Sequence, residues 1–158
     1  MLVDKIIEQL VTDLQTQLGT GSSYTDYLVE LVKANQVEKT DPKITIGIIP
    51  IESVNQEREI SKIYPTAWVD RIQFQIMVTH VDETSMKEIR TTIIKRFCQQ
   101  ISSDPIKAAL LALTDSFGTG TETLMDLNID RVRYDSTQEN NYFWGIAAID
   151  MSFTTDVT

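Results

Sequence analysis

His80 is the only histidine in the chain, and with Asp82 two residues on it has the composition of a general base and its orienting carboxylate. Such pairs work only beside a nucleophile. A lone histidine at a strand end next to a surface aspartate reads as structural. Asp126, Asp130 and Asp150 could converge from paired strands on a hard cation such as Mg²⁺ or Ca²⁺. Their spacing matches no coordinating loop, so they read as a solvated sheet face. Gly19-Thr20-Gly21 and Gly118-Thr119-Gly120 lack the Lys-Ser/Thr that follows a phosphate-binding loop and read as flexible connectors. Cys98 lies beside an apolar helical stripe, as a small buried hydrophobe does. Trp68 and Trp144 could be recognition aromatics, but both fall in strand-like segments, where a role in the sheet or a subunit contact fits better. Nothing assembles a nucleophile, a base and an oxyanion site. The expectation is therefore no enzyme: no catalytic residue, no metal site and no cofactor.

The elements that carry these residues follow from periodicity. Leu2, Val3, Ile6, Ile7, Leu10, Val11, Leu14 and Leu18 recur at three- and four-residue steps, predicting an amphipathic helix ended by Gly19. That pattern, broken by Asp4 and Glu8, is not a signal peptide. Tyr24–Val32 is ambiguous and leans to a short helix. Ile44, Ile46 and Ile48 alternate, predicting a strand that stops at Pro50. From Ile51 to Pro65 the chain is polar and without period, as in a long loop. Over residues 68–80, Trp68, Ile72, Phe74, Ile76 and Val78 share one parity, while Arg71, Gln73, Gln75 and Thr79 share the other. That is a strand of an antiparallel sheet covered on one side.

Ser85 and Glu88 match a capping box before a helix whose stripe is Met86, Ile89, Ile93, Phe97 and Ile101. Asp104-Pro105 reads as the N-cap and first residue of a further short helix that frays by Gly118. Residues 123–134 and 142–154 are the last strands, with a parity switch that predicts a bulge near Asp130. Asp135–Asn141 reads as a turn-rich tip between them. Strands on either side of one good helix predict an α+β domain over residues 1–158. The expected core is a mostly antiparallel four-stranded sheet, packed on one face by two main amphipathic helices with short helices added.

Composition bounds the function. The 158 residues are 42% apolar and 23% charged, enough for one domain with its own core. One cysteine cannot form an internal disulfide, which suits a reducing compartment. No apolar run is long enough to cross a bilayer, so no membrane partner is expected. The formal charge is −9, the wrong sign for a protein that grips DNA by its phosphates. Residues 104–158 alone hold three basic and nine acidic side chains. Contact with DNA should be sliding and not adhesive.

In its order of elements the chain resembles the tail terminator (tail completion) proteins of tailed bacteriophages, and their minor-capsid and neck relatives. The resemblance rests on the opening helix and the strand Ile44–Ile49. It continues through Trp68-Val-Asp-Arg-Ile-Gln-Phe-Gln-Ile-Met-Val-Thr-His and its following helix to the final hairpin from Arg131 to Phe153. The segments 50–65 and 102–121 are longer than that pattern. The resemblance implies a virion protein, made in the host cytoplasm, that forms a homo-oligomeric ring, commonly a hexamer. Such a ring caps the tail tube and meets a neck or connector protein, and DNA only passes through it. On that reading Glu57, Arg58, Glu59, Arg71, Gln73, Gln75, Arg131 and Arg133 are the expected subunit contacts. Asp126, Asp130, Asp135 and Glu139 are the expected lining of the channel. The alternatives are a head–tail joining or minor-capsid protein of the same fold, or a small-ligand-binding α+β domain.

Overall fold

The computed structural model describes residues 2–56 and 67–158. Its first element is α1 (Leu2–Leu18), which buries Leu2, Ile6, Ile7, Leu10, Leu14 and Leu18, the apolar stripe of the sequence. The next segment departs from expectation. Tyr24–Glu30 forms no helix; it runs irregularly into the short strand β1 (Leu31–Lys33). The side chains around it explain why. Arg96 stacks over the Tyr24 ring and donates to the Asp26 carbonyl at 2.7 Å, and the Gln15 side chain accepts from Val32 N at 2.9 Å. Backbone groups that a helix would use are committed to tertiary partners.

β1 pairs in parallel with β2 (Ile44–Gln56). Contrary to the reading of Pro50 as a stop, β2 continues six residues past it, bending at a register shift between Pro50 and Glu52. β1 covers β2 only over Thr45–Gly47. Pro50 therefore sits on an open edge, where its missing N–H breaks no ladder bond. The loop expected over residues 51–65 is thus strand at its start. Its remainder, including Glu57, Arg58 and Glu59, lies outside the described residues.

β3 (Ala67–His80) pairs antiparallel with β2 on one side and with β6 (Tyr142–Val157) on the other. α2 (Glu83–Ser102) follows β3. Its N-cap is Asp82, not Ser85: the Asp82 carboxylate accepts from Ser85 N at 2.9 Å and from Ser85 Oγ at 2.7 Å. The N-cap of the short helix α3 (Ile106–Leu111) is Pro105, with no side-chain capping bond, so Asp104 does not cap it. β4 (Thr114–Phe117) then turns at Gly118-Thr119 into β5 (Gly120–Glu139), where a flexible connector was expected.

β5 pairs with β6 as far as Glu139–Tyr142. The tip between them is therefore only Asn140-Asn141, both at positive φ, as a two-residue hairpin turn requires. The predicted bulge is there, between Ile129 and Arg131. The sheet order is β1-β2-β3-β6-β5-β4: six strands, mixed, with one parallel pair. This overturns the expected four-stranded antiparallel sheet. The two added strands have three and four residues, too short for periodicity to reveal.

One face of this sheet carries the core. Ile46, Ile48, Ile72, Phe74, Ile76, Ile149, Met151 and Phe153 meet the stripes of α1 and α2, with Phe74 and Phe97 tilted at 4.8 Å. Gly145 lies under the start of α2, where a Cβ would collide with the Met86 thioether. Two carboxylates share the buried face. Glu122 accepts from Leu2 N (3.2 Å) and Thr155 Oγ1 (3.1 Å), placing a negative charge at the α1 N-terminus. Asp70, 1% exposed, accepts from Ser53 Oγ at 2.6 Å, while its other oxygen has no partner among the described residues. Burial pushes the Asp70 carboxyl above its ordinary range; the Ser53 hydrogen bond opposes this, and the nearby Glu122 and Asp4 charges add to it.

Candidate functional site

The other face of the sheet has no helix among the described residues. It carries the polar parity of β3 (Arg71, Gln73, Gln75, Thr79) beside Trp144, Ile146, Ala148, Asp150 and Ser152 of β6. Beyond them stand Asp126, Asn128, Arg131, Arg133 and Asp135 of β5. Five of the expected contact residues, Arg71, Gln73, Gln75, Arg131 and Arg133, are thus brought to the face that carries Asp150. Its carboxylate accepts from Gln73 Nε2 at 3.0 Å, Arg131 Nε at 2.6 Å and an Arg133 amino group at 3.3 Å. Burial alone would raise its pKa. The Gln73 and Arg131 hydrogen bonds and the Arg133 and Arg131 charges outweigh that and hold it below the usual carboxylate range.

The network extends sideways. Gln75 Nε2 donates to Gln73 Oε1 at 3.1 Å, and Gln75 Oε1 accepts from Val37 N at 3.0 Å. Val37 belongs to the connection between β1 and β2, which lies across this face above Gly47. A side chain at Gly47 would strike the Asn35 carbonyl and Val37. Lys33 holds Asp41 at 2.7 Å, Lys39 pairs with Glu139, and Lys39 stands 5.3 Å over the Trp144 ring. That hydrogen bond from Lys33, first of all, keeps the Asp41 carboxyl low. The half of the face near β1 is therefore covered by the chain itself. The other half is open, with Arg71 paired to Glu52 at 2.5 Å. Arg131, Arg133 and Arg71 keep 62%, 53% and 53% of their side-chain surface exposed.

Two shallow cavities flank the Asp150 cluster. One, about 460 Å³, is lined by Gln73, Arg133, Tyr134, Asp135, Ile146 and Ala148. The second, about 370 Å³, lies among Ile51, Glu52, Arg71, Asp130, Arg131 and Asp150. Both are lined by charges of opposite sign: Arg133 and Asp135 in the first, and Glu52, Arg71, Asp130, Arg131 and Asp150 in the second.

The carboxylates expected to line a channel are on the same strand and face as the arginines, not segregated from them. Asp126 accepts from Leu127 N and Asn128 Nδ2, and Asp130 from Ser152 Oγ. Asp135 accepts from Ser136 N, and Glu139 pairs with Lys39. Each is exposed as well as partnered. His80 accepts from Asp82 N at 2.9 Å through Nδ1, a turn contact at the start of α2. No group of three His, Cys, Asp or Glu among the described residues is placed to hold a metal ion.

Sequence reasoning missed the role of Asp150, and the signal for it was available. Two asparagines in a two-residue turn fix the register of the hairpin, and counting back from them sets Arg131 opposite Asp150.

No protein-family model matches the chain, and no curated protein matches it. Among solved structures, a chain from one described as "Virion of native gene transfer agent (GTA) particle" has the same fold. Its TM-score is 0.50 at 12% identity, over 95% of this chain and 91% of that one.

Proposed function

We propose that this chain is a structural subunit of a phage-like virion, and within that class a tail terminator that forms a ring on the end of the tail tube. The observation that carries the reading is the fold shared nearly end to end with a chain of a gene transfer agent particle. The site supports it in kind: the open face is a mixed-charge surface suited to meeting other proteins. The work of such a subunit is mechanical. It adds to the last layer of the tube, presents a surface that tube protein cannot extend, and offers its far side to the neck or connector.

DNA passing through the ring would slide over exposed carboxylates of the β5–β6 hairpin, whose charge keeps phosphates from being held. Deleting the chain from the particle that encodes it separates the readings in electron micrographs. A terminator leaves tubes of uncontrolled length. A head–tail joining protein leaves tails of normal length and filled heads that fail to meet. Normal particles would remove both readings. The purified protein should also show a ring by light scattering and negative stain.

A further inference from the structure

We infer that the sheet continues from one copy of this chain to the next: the outer edge of β5 pairs antiparallel with the outer edge of β2 in the neighbouring subunit. This rests on the ring proposed above and names its joint. β4 covers β5 only over Gly120–Thr123, and β1 covers β2 only over Thr45–Gly47. Among the described residues, no strand lies against β5 from Leu124 to Glu139 or against the outer side of β2 from Ile48 to Gln56. Soluble proteins avoid free edges of that length, because each is a template for another chain.

The regular parts of the two edges are well defined. On β5 the register shifts end at Arg131, leaving Arg131–Glu139 unbroken. On β2 the shift ends at Glu52, leaving Glu52–Gln56 free of both bulge and proline. Protection on β5 is local: Asp126 and Asp135 occupy the amides of Leu127 and Ser136.

Three features select a second copy as the occupant. The first is direction. Strands β2, β3, β6 and β5 alternate, so β5 of one copy beside β2 of the next is antiparallel with no change of sheet orientation. The second is charge. Exposed Arg131 and Arg133 on β5 and Glu52 on β2 project from the same face, so pairing sets opposite charges across strands. The third is apolar exposure. Among the described residues, half of the large apolar side chains left exposed lie on these two edges: Ile51 and Val54 on β2, and Met125, Ile129 and Tyr134 on β5. Since the two edges are different surfaces, the joint is head-to-tail, and repetition closes a ring in which both long free edges are covered.

Cysteine pairs test the joint in the full chain. Glu52→Cys is combined in turn with Arg131→Cys, Arg133→Cys and Asp135→Cys, which share a face, so one of them falls opposite residue 52 within disulfide reach. Mild oxidation of the assembled protein should give a ladder of covalent multimers ending at the ring number for one combination. Single variants and the parent with Cys98 should give none. In the unsubstituted protein, amides within Arg131–Glu139 should exchange at least tenfold more slowly in the ring than in the lone subunit. A ring that forms without cross-links, and with unchanged exchange, overturns the edge pairing and leaves the ring reading standing. Cross-linking of a single β5 variant to itself overturns it in favour of a two-fold joint. A chain that stays a monomer at every concentration, with tube protein present, overturns both.

Discussion

Asp70 and Asp150 face opposite sides of the sheet and respond to pH in opposite senses. The Asp70 carboxyl is raised by burial, so its charged form weakens the fold above the ordinary value of 3.8, and acid relieves the cost. Asp70→Asn keeps an oxygen for Ser53 Oγ and removes the charge. At pH 7 it should stabilise by about 1 kcal/mol, or roughly 2–4 °C in Tm for a chain of this size. In thermal melts at stepped pH the gain should shrink to nothing by about pH 4; an equal gain at every pH would mean the charge is not its cause. Asp150 is held low, so its contribution is complete above 3.8 and lost as pH falls through the lowered value. Asp150→Ala strands Gln73, Arg131 and Arg133 together. It should cost about 1 kcal/mol at neutral pH, since the arginines are well exposed. High salt should narrow the difference, and urea titrations with and without salt would show it.

Among the elements, the fit of α2 on β6 depends on one missing side chain. Gly145→Ala pushes a methyl into the Met86 thioether, which should destabilise by about 1–3 kcal/mol. Adding Met86→Ala should recover part of that loss, because the clash and its partner leave together. A double-mutant cycle in urea measures the coupling, and simple additivity would show that the two do not touch. The same scale decides how much of the fold was legible in advance. The stripes of α1 and α2, the two-faced β3 and the Asp130 bulge were readable because period and burial agree over long stretches. β1 and β4 were not, since three or four residues carry no period. The Tyr24 segment was misread because its conformation depends on Arg96 and Gln15, distant in sequence. Pro50 misled for a related reason: whether proline ends a strand depends on which side has a neighbour. At the site, the polar parity of β3 and the arginines of β5 were singled out as subunit contacts, and the structure sets them on one face of the sheet. Their common partner, Asp150, lay hidden in the register of a hairpin whose turn was read five residues too long.

For the whole molecule, the open face and the free edges are the two surfaces to which the proposed ring assigns protein neighbours. The strand order has a further consequence, for how the chain reaches this state. β2 meets β3, and β5 meets β6, by pairing with the next strand in the chain. The seam between the two hairpins joins His80 to Phe143 and Ala67 to Asp156, with α2, α3 and β4 strung between. Closing that long loop is the step whose entropy no local contact offsets, so docking of the two halves should set the folding rate. Ile149→Ala, in the middle of the seam, should slow refolding severalfold. Ile129→Ala, on the outer hairpin, should act mainly by speeding unfolding. Stopped-flow chevrons for the two variants decide it, and equal folding arms would mean that the halves meet early. A newly made chain would thus hold the β2–β3 hairpin waiting for its later partner, and β6, made after β5, would be the strand that unites them.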